Sequence, residues 1–407
     1  MARRRCSLVV TFIAAMFWVS LASAQGLILP GAGAANRGMA GASTAAPLDA
    51  AGAVYWNPAS ISGLGRNEVY FGADMAYADL RVGVDPLPPP GTNLSDTGLS
   101  SIPTIALVYR AEDSPATLGL GLYAVGGGSV NFPTERRVRP LSDNTNQYAS
   151  ASFLQIAPIL SIDLTEKLSV ALGPTVDVSV MSLDPFFLAP RNPDGTFPAA
   201  THGKPTWGAG FQAGVYYELN PCWSFGFSYK SPQWFDRFLW HSVDSDGVPL
   251  EVGLDLTLPA IYSWGIAYRG IEKTVLALDF RYIDYQNTKL FGQPLVAGGV
   301  NWKSVFAVAT GLERRVGERA RIRLGYLFNE NPIPEVLTLF NTQLPAFNQH
   351  QLSLGFGLDI NRSLTLDFAW IHVFENTIRG PVLELPDTTI AMTQSLDFWS
   401  LGIGVRY

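Results

Sequence analysis

The residues able to do chemistry are few and scattered along the 407-residue chain. His202, His241, His350 and His372 share no metal-ligand spacing, and neither a His-Glu-x-x-His helix nor a Gly-x-Ser-x-Gly elbow occurs. Cys6 lies in a leader expected to be removed, so Cys222 stands alone and can build neither an intramolecular disulfide nor a thiolate metal site. Gly31-Ala32-Gly33-Ala34-Ala35-Asn36 looks like a dinucleotide-binding turn, but it lacks the third glycine, follows no expected strand and opens no expected helix. A formal charge of -6 argues against nucleic acid, which needs concentrated Lys and Arg. Six charges recur at alternate positions: Asp279, Arg281, Arg321, Arg323, Asp367 and Arg406. On neighbouring strands such carboxylates and guanidiniums satisfy one another, and any of the arginines could instead meet a ligand carboxylate. No catalytic group, metal site or cofactor is expected, and the protein is not expected to be an enzyme.

The elements that carry these charges are short alternating strands. Trp223, Phe225, Phe227 and Tyr229 alternate with Ser224, Gly226, Ser228 and Lys230. The dyad returns in Tyr262 to Arg269, in Leu276 to Tyr282, in Arg321 to Phe328, in Leu352 to Ile360, in Leu364 to Trp370 and in Trp399 to Tyr407. Large apolar residues on one face and small or charged ones on the other fit a wall with lipid outside and a polar lumen inside. No apolar run of about 18 residues follows the leader, which excludes a helical membrane protein. Six short polar turns (near 112–114, 165–166, 220–221, 270–272, 315–318 and 361–362) and seven longer loops (near 84–100, 128–149, 182–205, 231–252, 285–300, 329–348 and 375–394) make fourteen strands. The fold class is therefore an all-β transmembrane antiparallel barrel of about 14 strands.

At the other end, Arg3-Arg4-Arg5, the apolar run Leu8 to Val19 and Ala22-Ser23-Ala24 form a secretory signal over 1–24, with the mature chain starting at Gln25. The next stretch, 25–66, is rich in Gly, Ala, Ser and Pro and has no sustained apolar period, so it is expected to be a compact irregular plug with neither helix nor strand. The barrel then occupies 67–407. Within 25–66 stand Arg37-Gly38-Met39-Ala40-Gly41-Ala42 and Asn57-Pro58-Ala59. On these two motifs, and on the order of plug then strands, the chain resembles the long-chain fatty acid transporter (FadL-like) family of Gram-negative outer membranes, which includes members taking up aromatic hydrocarbons.

The resemblance implies an N-terminal hatch inside the barrel, with Asn57, Pro58, Ala59, Arg37, Gly38 and Gly41 as its gating residues. It implies a monomer in the outer membrane, passive uptake of a hydrophobic small molecule, and lateral release to outer-membrane lipids through a kink in the third strand. Gly126, Gly127 and Gly128 fall at about that place, three residues with freedom to bulge. Apolar clusters in the outer loops suggest a landing site for ligand: Phe186, Phe187 and Leu188, then Trp234, Phe235 and Phe238, then Leu339 and Phe340. Tyr407 ends the last strand in an aromatic, though not the Phe usual in such barrels, and is the expected mark for the barrel-assembly machinery. A general or solute-specific porin shares this fold and differs in the plug and the apolar loops; an outer-membrane barrel enzyme is disfavoured by the missing motifs.

Overall fold

The computed structural model describes residues 25–85, 92–133, 147–382 and 387–407, so the expected signal and parts of three outer loops lie outside the described residues. Fourteen strands form the wall: β1 Glu68–Asp85, β2 Leu99–Tyr109, β3 Ala116–Phe132, β4 Gln147–Thr165, β5 Leu168–Asp184, β6 Thr206–Asn220, β7 Trp223–Lys230, β8 Ala260–Tyr268, β9 Thr274–Asp284, β10 Val305–Val316, β11 Ala320–Asn329, β12 His350–Asp359, β13 Leu364–Pro381 and β14 Thr389–Arg406. Each pairs antiparallel with the next over at least part of its length, and β14 pairs with β1 from Glu68↔Arg406 to Asp85↔Thr389, which closes the barrel. Phe71, Leu120, Phe227, Trp264, Leu324, Phe368 and Leu401 are exposed on the outer face, while Asp74, Ser228, Asp279, Arg281 and Arg323 are buried within. The period-2 reading of the wall therefore has the correct sign, large apolar groups outward. The loop expected at 231–252 is more ordered than its composition suggests: Phe238–Val243 and Pro249–Leu254 form a separate hairpin.

The stretch from Gln25 to Leu64 lies inside the wall, and it corrects the expectation of a segment without helix. Ala34–Gly38 and Ala50–Trp56 are short α-helices, and Pro58–Leu64 is a 3-10 helix. The first of these also follows the glycine pair at 31 and 33 directly, contrary to the reading that no helix opens there. These helices escaped a periodicity search because nearly every residue of them is buried, so no polar face alternates with an apolar one. Local capping and alanine content set them instead: Asp49 accepts from the Gly52 N–H at 2.7 Å, and Pro58 occupies the first turn after Asn57. Asn57 ends one helix and starts the next, its Oδ1 accepting from the Ala59 N–H at 3.1 Å while its Nδ2 donates to the carbonyls of Thr44 and of Val215 on β6, at 2.8 and 3.0 Å.

The wall grips this segment through charge and through missing side chains. Asp279 Oδ2 on β9 accepts from the Ser43 N–H (2.9 Å), the Thr44 N–H (3.0 Å), the Thr44 hydroxyl (2.7 Å) and Arg281 (2.9 Å). Arg281 also donates to the Gly41 carbonyl at 2.6 Å and lies 3.5 Å from the ring centroid of Trp56. Arg37 pairs with Asp74 of β1 at 2.7 Å, both side chains 2% exposed. At Gly226 a Cβ would overlap the Thr44 carbonyl, so glycine lets the two backbones touch. Gly41 has φ +84 and a Cβ there would overlap the Pro30 carbonyl, so only glycine fits that turn. The remaining inward charges brace the wall itself: Arg323 sits between Glu313 and Asp367, each at 2.7 Å, and Arg321 and Arg406 share Asp359 at 2.7 and 3.4 Å.

Two outcomes follow from this seating. Asp279→Ala strands Arg281 in a buried site and removes three bonds to residues 43 and 44, a loss on the order of 3 to 5 kcal/mol; limited proteolysis should then cut within 30–64 while the heat-modifiable barrel persists on a gel, and a segment as resistant as in the wild type would contradict the latch. Asp49 supplies the second. Burial, with the Glu68 carboxylate beside it, pushes the Asp49 carboxyl up to about 7 against the bond from Gly52, the Asp367 charge adding to the rise and Arg323 opposing it. Its second oxygen has no partner, as a protonated carboxyl allows. An acid that holds its proton more tightly when folded stabilises the seated segment fully below the unfolded carboxyl range of about 4 and loses that contribution as pH rises to about 7. Protection factors across 50–56, exchange rates corrected for the intrinsic pH dependence of amide exchange, should therefore be higher near about pH 5 than about pH 8, and Asp49→Asn, which keeps the cap, should flatten the difference.

Candidate functional site

Above the seated segment the barrel holds a cavity of about 490 Å³, within the range of single small-molecule sites. Its walls include the tail Gln25 to Pro30, the upper halves of β3 and β4 including Phe153, the loop residues Phe186, Phe187 and Leu188, the opposite rim with Leu256, Phe291, Trp302 and Phe340, and residues of β1, β2, β5 and β11 to β14. Phe186 packs on Trp240, whose Nε1 donates to the Met181 carbonyl at 3.1 Å. Phe291, Trp302 and Tyr285 pack edge to face or tilted, with centroids 4.8 to 5.6 Å apart. Among the described lining residues none is ionisable.

One side of this cavity coincides with a gap in the strand ladder. β2 pairs with β1 along Leu99 to Val108, but with β3 only from Thr104↔Tyr123 down to Tyr109↔Leu118. Beyond Tyr123, β3 pairs with β4 alone, and its register slips between Ala124 and Gly126 so that Val125 is left out. The two strand edges meet again higher up, where the Asp96 N–H donates to the Asn131 carbonyl at 2.7 Å and the Asn131 N–H to Ser95 Oγ at 2.9 Å. Between these limits the edges are Ser100 to Pro103 and Ala124 to Val130, all of which, Val125 excepted, line the cavity. Pro103 has no N–H to offer across the gap.

Gly126, Gly127 and Gly128 of β3 lie in this gap, and each plays a different part. A Cβ on Gly126 would come within 2.9 Å of the Leu27 carbonyl oxygen, so the tail rests directly on that residue. Gly127 has φ +142 and faces the Ala151 carbonyl, whereas Gly128 has nothing within 4 Å of an added Cβ. The tail supplies what β2 does not: the Leu29 N–H donates to the Val125 carbonyl at 2.9 Å, and Ile28 bridges Gly126 in antiparallel fashion. Tyr285 anchors the tail's start, its hydroxyl donating to the Gln25 carbonyl at 3.0 Å and accepting from the N–H groups of Leu27 and Ile28 at 2.8 and 3.3 Å. Burial pushes the Tyr285 phenol well up, so it stays a neutral donor.

The candidate residues divide accordingly. Phe186, Phe187, Leu188 and Phe340 line the cavity, as do Gly126, Gly127 and Gly128. Trp234, Phe235, Phe238 and Leu339 do not. Gln233–Phe235 is a short strand paired to Thr257 and Ala209, which leaves Trp234 half-exposed on the outer side, while Phe235 and Phe238 are spent packing Phe153 and Trp240 and Leu339 is buried in a 3-10 turn. Arg37, Gly38, Gly41, Asn57, Pro58 and Ala59 are all buried in the floor beneath, joined by hydrogen bonds and packing to β1, β6 and β9, and none lines the cavity. No arginine among the six alternating charges faces it either. The tail 25–30, Phe153, Phe291 and Trp302 escaped sequence reasoning, although a Phe among the small residues of Ala149-Ser150-Ala151-Ser152 was a readable signal that β4 turns something bulky inward.

Among solved structures the chain is similar to the Pseudomonas putida toluene transporter TodX (15% identity over 93% of this chain and 99% of that one, TM-score 0.71). It is similar also to a Pseudomonas aeruginosa FadL homologue (17%, 93% and 99%, TM-score 0.74) and to the Ralstonia pickettii toluene transporter TbuX (16%, 93% and 99%, TM-score 0.72). At these identities the likeness is one of fold. No curated protein matches the chain by sequence. The family model for outer membrane protein transport proteins (OMPP1/FadL/TodX) matches residues 15–405, and the chain belongs to that family of outer-membrane transport proteins, which are channels and not enzymes.

Proposed function

We propose that the protein carries hydrophobic small molecules passively across the outer membrane and releases them sideways into lipid, with residues 25–66 of a signal-processed chain acting as a hatch. The observation that carries this reading is the coincidence of the apolar cavity with the gap between β2 and β3. A ligand that continued downward would meet the buried, charge-locked floor and then water, forfeiting about 0.8 kcal/mol for every methylene exposed. Leaving through the gap places it in the bilayer with its apolar surface still covered. The floor residues around Asn57 and Arg37 stay seated in this scheme. The tail is the moving part: it carries no charged side chain and is held by the bridge at Gly126, the Leu29 bond to Val125, the Tyr285 contacts and single hydrogen bonds from Tyr55 to the Leu29 carbonyl and from Trp56 to the Pro30 carbonyl, and its departure joins cavity and gap.

Capture and release separate experimentally. Phe153→Ser or Phe186→Ser should weaken binding of an apolar ligand by about 1 to 3 kcal/mol per aromatic, whereas Trp234→Ser should leave it unchanged. Equal losses at all three positions, or none, would remove the cavity as the binding site. An added Cβ at Gly128 meets nothing within 4 Å, and Gly128→Trp sets an indole at the border of gap and cavity; it should lower uptake severalfold. Uptake at the wild-type rate, with the side chain shown to be in place, would rule out the sideways route and leave the cavity reading intact.

A further inference from the structure

We infer that Lys230 is a positioning residue for ligand release: it holds the tail across the gap by backing the ring of Tyr55, whose hydroxyl grips the tail. This role rests on the reading of the tail as the moving part, and it names the group that sets how firmly the tail is held. Lys230 ends β7, is buried, and among the described residues has no carboxylate within 4 Å. Its close contacts are rings, with Nζ 4.1 Å from the ring centroid of Tyr55, 5.5 Å from that of Tyr123 and 5.9 Å from that of Trp56. These faces, together with the more distant charge of Asp177 on β5, offset the hydration the ammonium has lost. The attraction is mutual, so a desolvated cation over the Tyr55 face fixes that ring in place.

Tyr55 stands where floor, gap and tail meet. Its ring packs edge to face on Tyr123, centroids 4.9 Å apart, and Tyr123 is the last residue of β3 paired to β2 below the gap. Its hydroxyl donates to the Leu29 carbonyl at 2.7 Å, while the Leu29 N–H donates to the Val125 carbonyl at the gap edge. Tyr123 is steadied from the wall, its hydroxyl donating to Gln155 Oε1 at 3.3 Å and Gln155 Nε2 donating to Asp177 at 2.9 Å. A neighbouring pair repeats the arrangement: Arg281 lies over Trp56, whose Nε1 donates to the Pro30 carbonyl at 3.2 Å. Arg281 is also bonded to Asp279 and to the Gly41 carbonyl, so changing it would undo the seating of the floor. Lys230 takes no part in that latch, and through it the hold on the tail can be changed with the latch intact.

Hydrogen exchange at fixed pH tests this on the full chain exported with its own leader and reconstituted in nanodiscs, with the tail and the helix 50–56 followed side by side. Lys230→Met should speed exchange at Leu27, Ile28 and Leu29 about tenfold and leave 50–56 at the wild-type rate, and Lys230→Arg, which keeps a cation able to stack on the ring, should restore most of the protection. Tyr55→Phe keeps the ring but loses the bond to Leu29, so it should speed the tail by itself, and adding Lys230→Met to it should change little more. In proteoliposomes Lys230→Met should raise uptake of a neutral pyrene probe severalfold. Should Lys230→Met give no heat-modifiable barrel, the double variant with Asp177→Asn removes both charges and is read in the same way. An unchanged tail, equal acceleration of 50–56, or effects of Lys230→Met and Tyr55→Phe that simply multiply would overturn the inference and leave the transport reading intact. A faster tail with uptake unchanged would overturn the tail as the moving part, and the role of Lys230 in release with it.

Discussion

A strand crossing a bilayer has only protein to bond with, so a wall carbonyl that loses its neighbour must find another partner in the chain. That constraint is met along nearly the whole described wall by the next strand. It is met differently at Val125, where β3 has parted from β2 and the carbonyl is satisfied by the N–H of Leu29 in the tail. The architecture of the site follows from this substitution. The gap in the wall is tolerated because the tail satisfies it from inside, and the tail is positioned across the cavity because the gap requires it.

The two halves of the segment inside the barrel contrast in strength. Residues 34–64 are held by Asp279, Arg281 and Arg37, by Asn57 reaching to β6, and by wall glycines that let backbones touch. Residues 25–30 carry no charged side chain and are held by neutral contacts, the Ile28–Gly126 bridge, the Leu29 bond to Val125 and hydrogen bonds to Tyr285, Tyr55 and Trp56. A buried carboxylate accepting four hydrogen bonds is costly to displace, whereas a short bridge at a strand edge is not. On the proposed reading this gradient lets the channel remain closed to water from below while it opens to lipid at the side.

Much of this was legible in the sequence, and the rest was hidden for identifiable reasons. The dyad alternation of segments such as Trp223 to Lys230 and Ile322 to Phe328 specifies wall, facing and strand number because one face meets lipid and the other does not. The helices at Ala50–Trp56 and Pro58–Leu64 were hidden because burial on all sides erases the periodicity that would mark them. Gly126 to Gly128 announced an irregular strand, but the missing pairing lies on the β2 side and begins at Ala124, which depends on where Pro103 and the tail end up in space. The loop aromatics were legible as a cluster and not as individuals: Phe186 and Trp234 have equal apolar character, and only the pairing of Gln233–Phe235 with Thr257 sends Trp234 outward.

On the proposed reading an apolar ligand leaves through the wall and not through the floor. The most direct measurement uses proteoliposomes with cyclodextrin trapped inside and a solvatochromic apolar probe added outside, followed in time. The spectrum characteristic of bilayer should appear first, with transfer to the internal cyclodextrin following at the rate seen for probe already dissolved in the membrane. Arrival in the internal cyclodextrin before, or without, a membrane-dissolved population would contradict it.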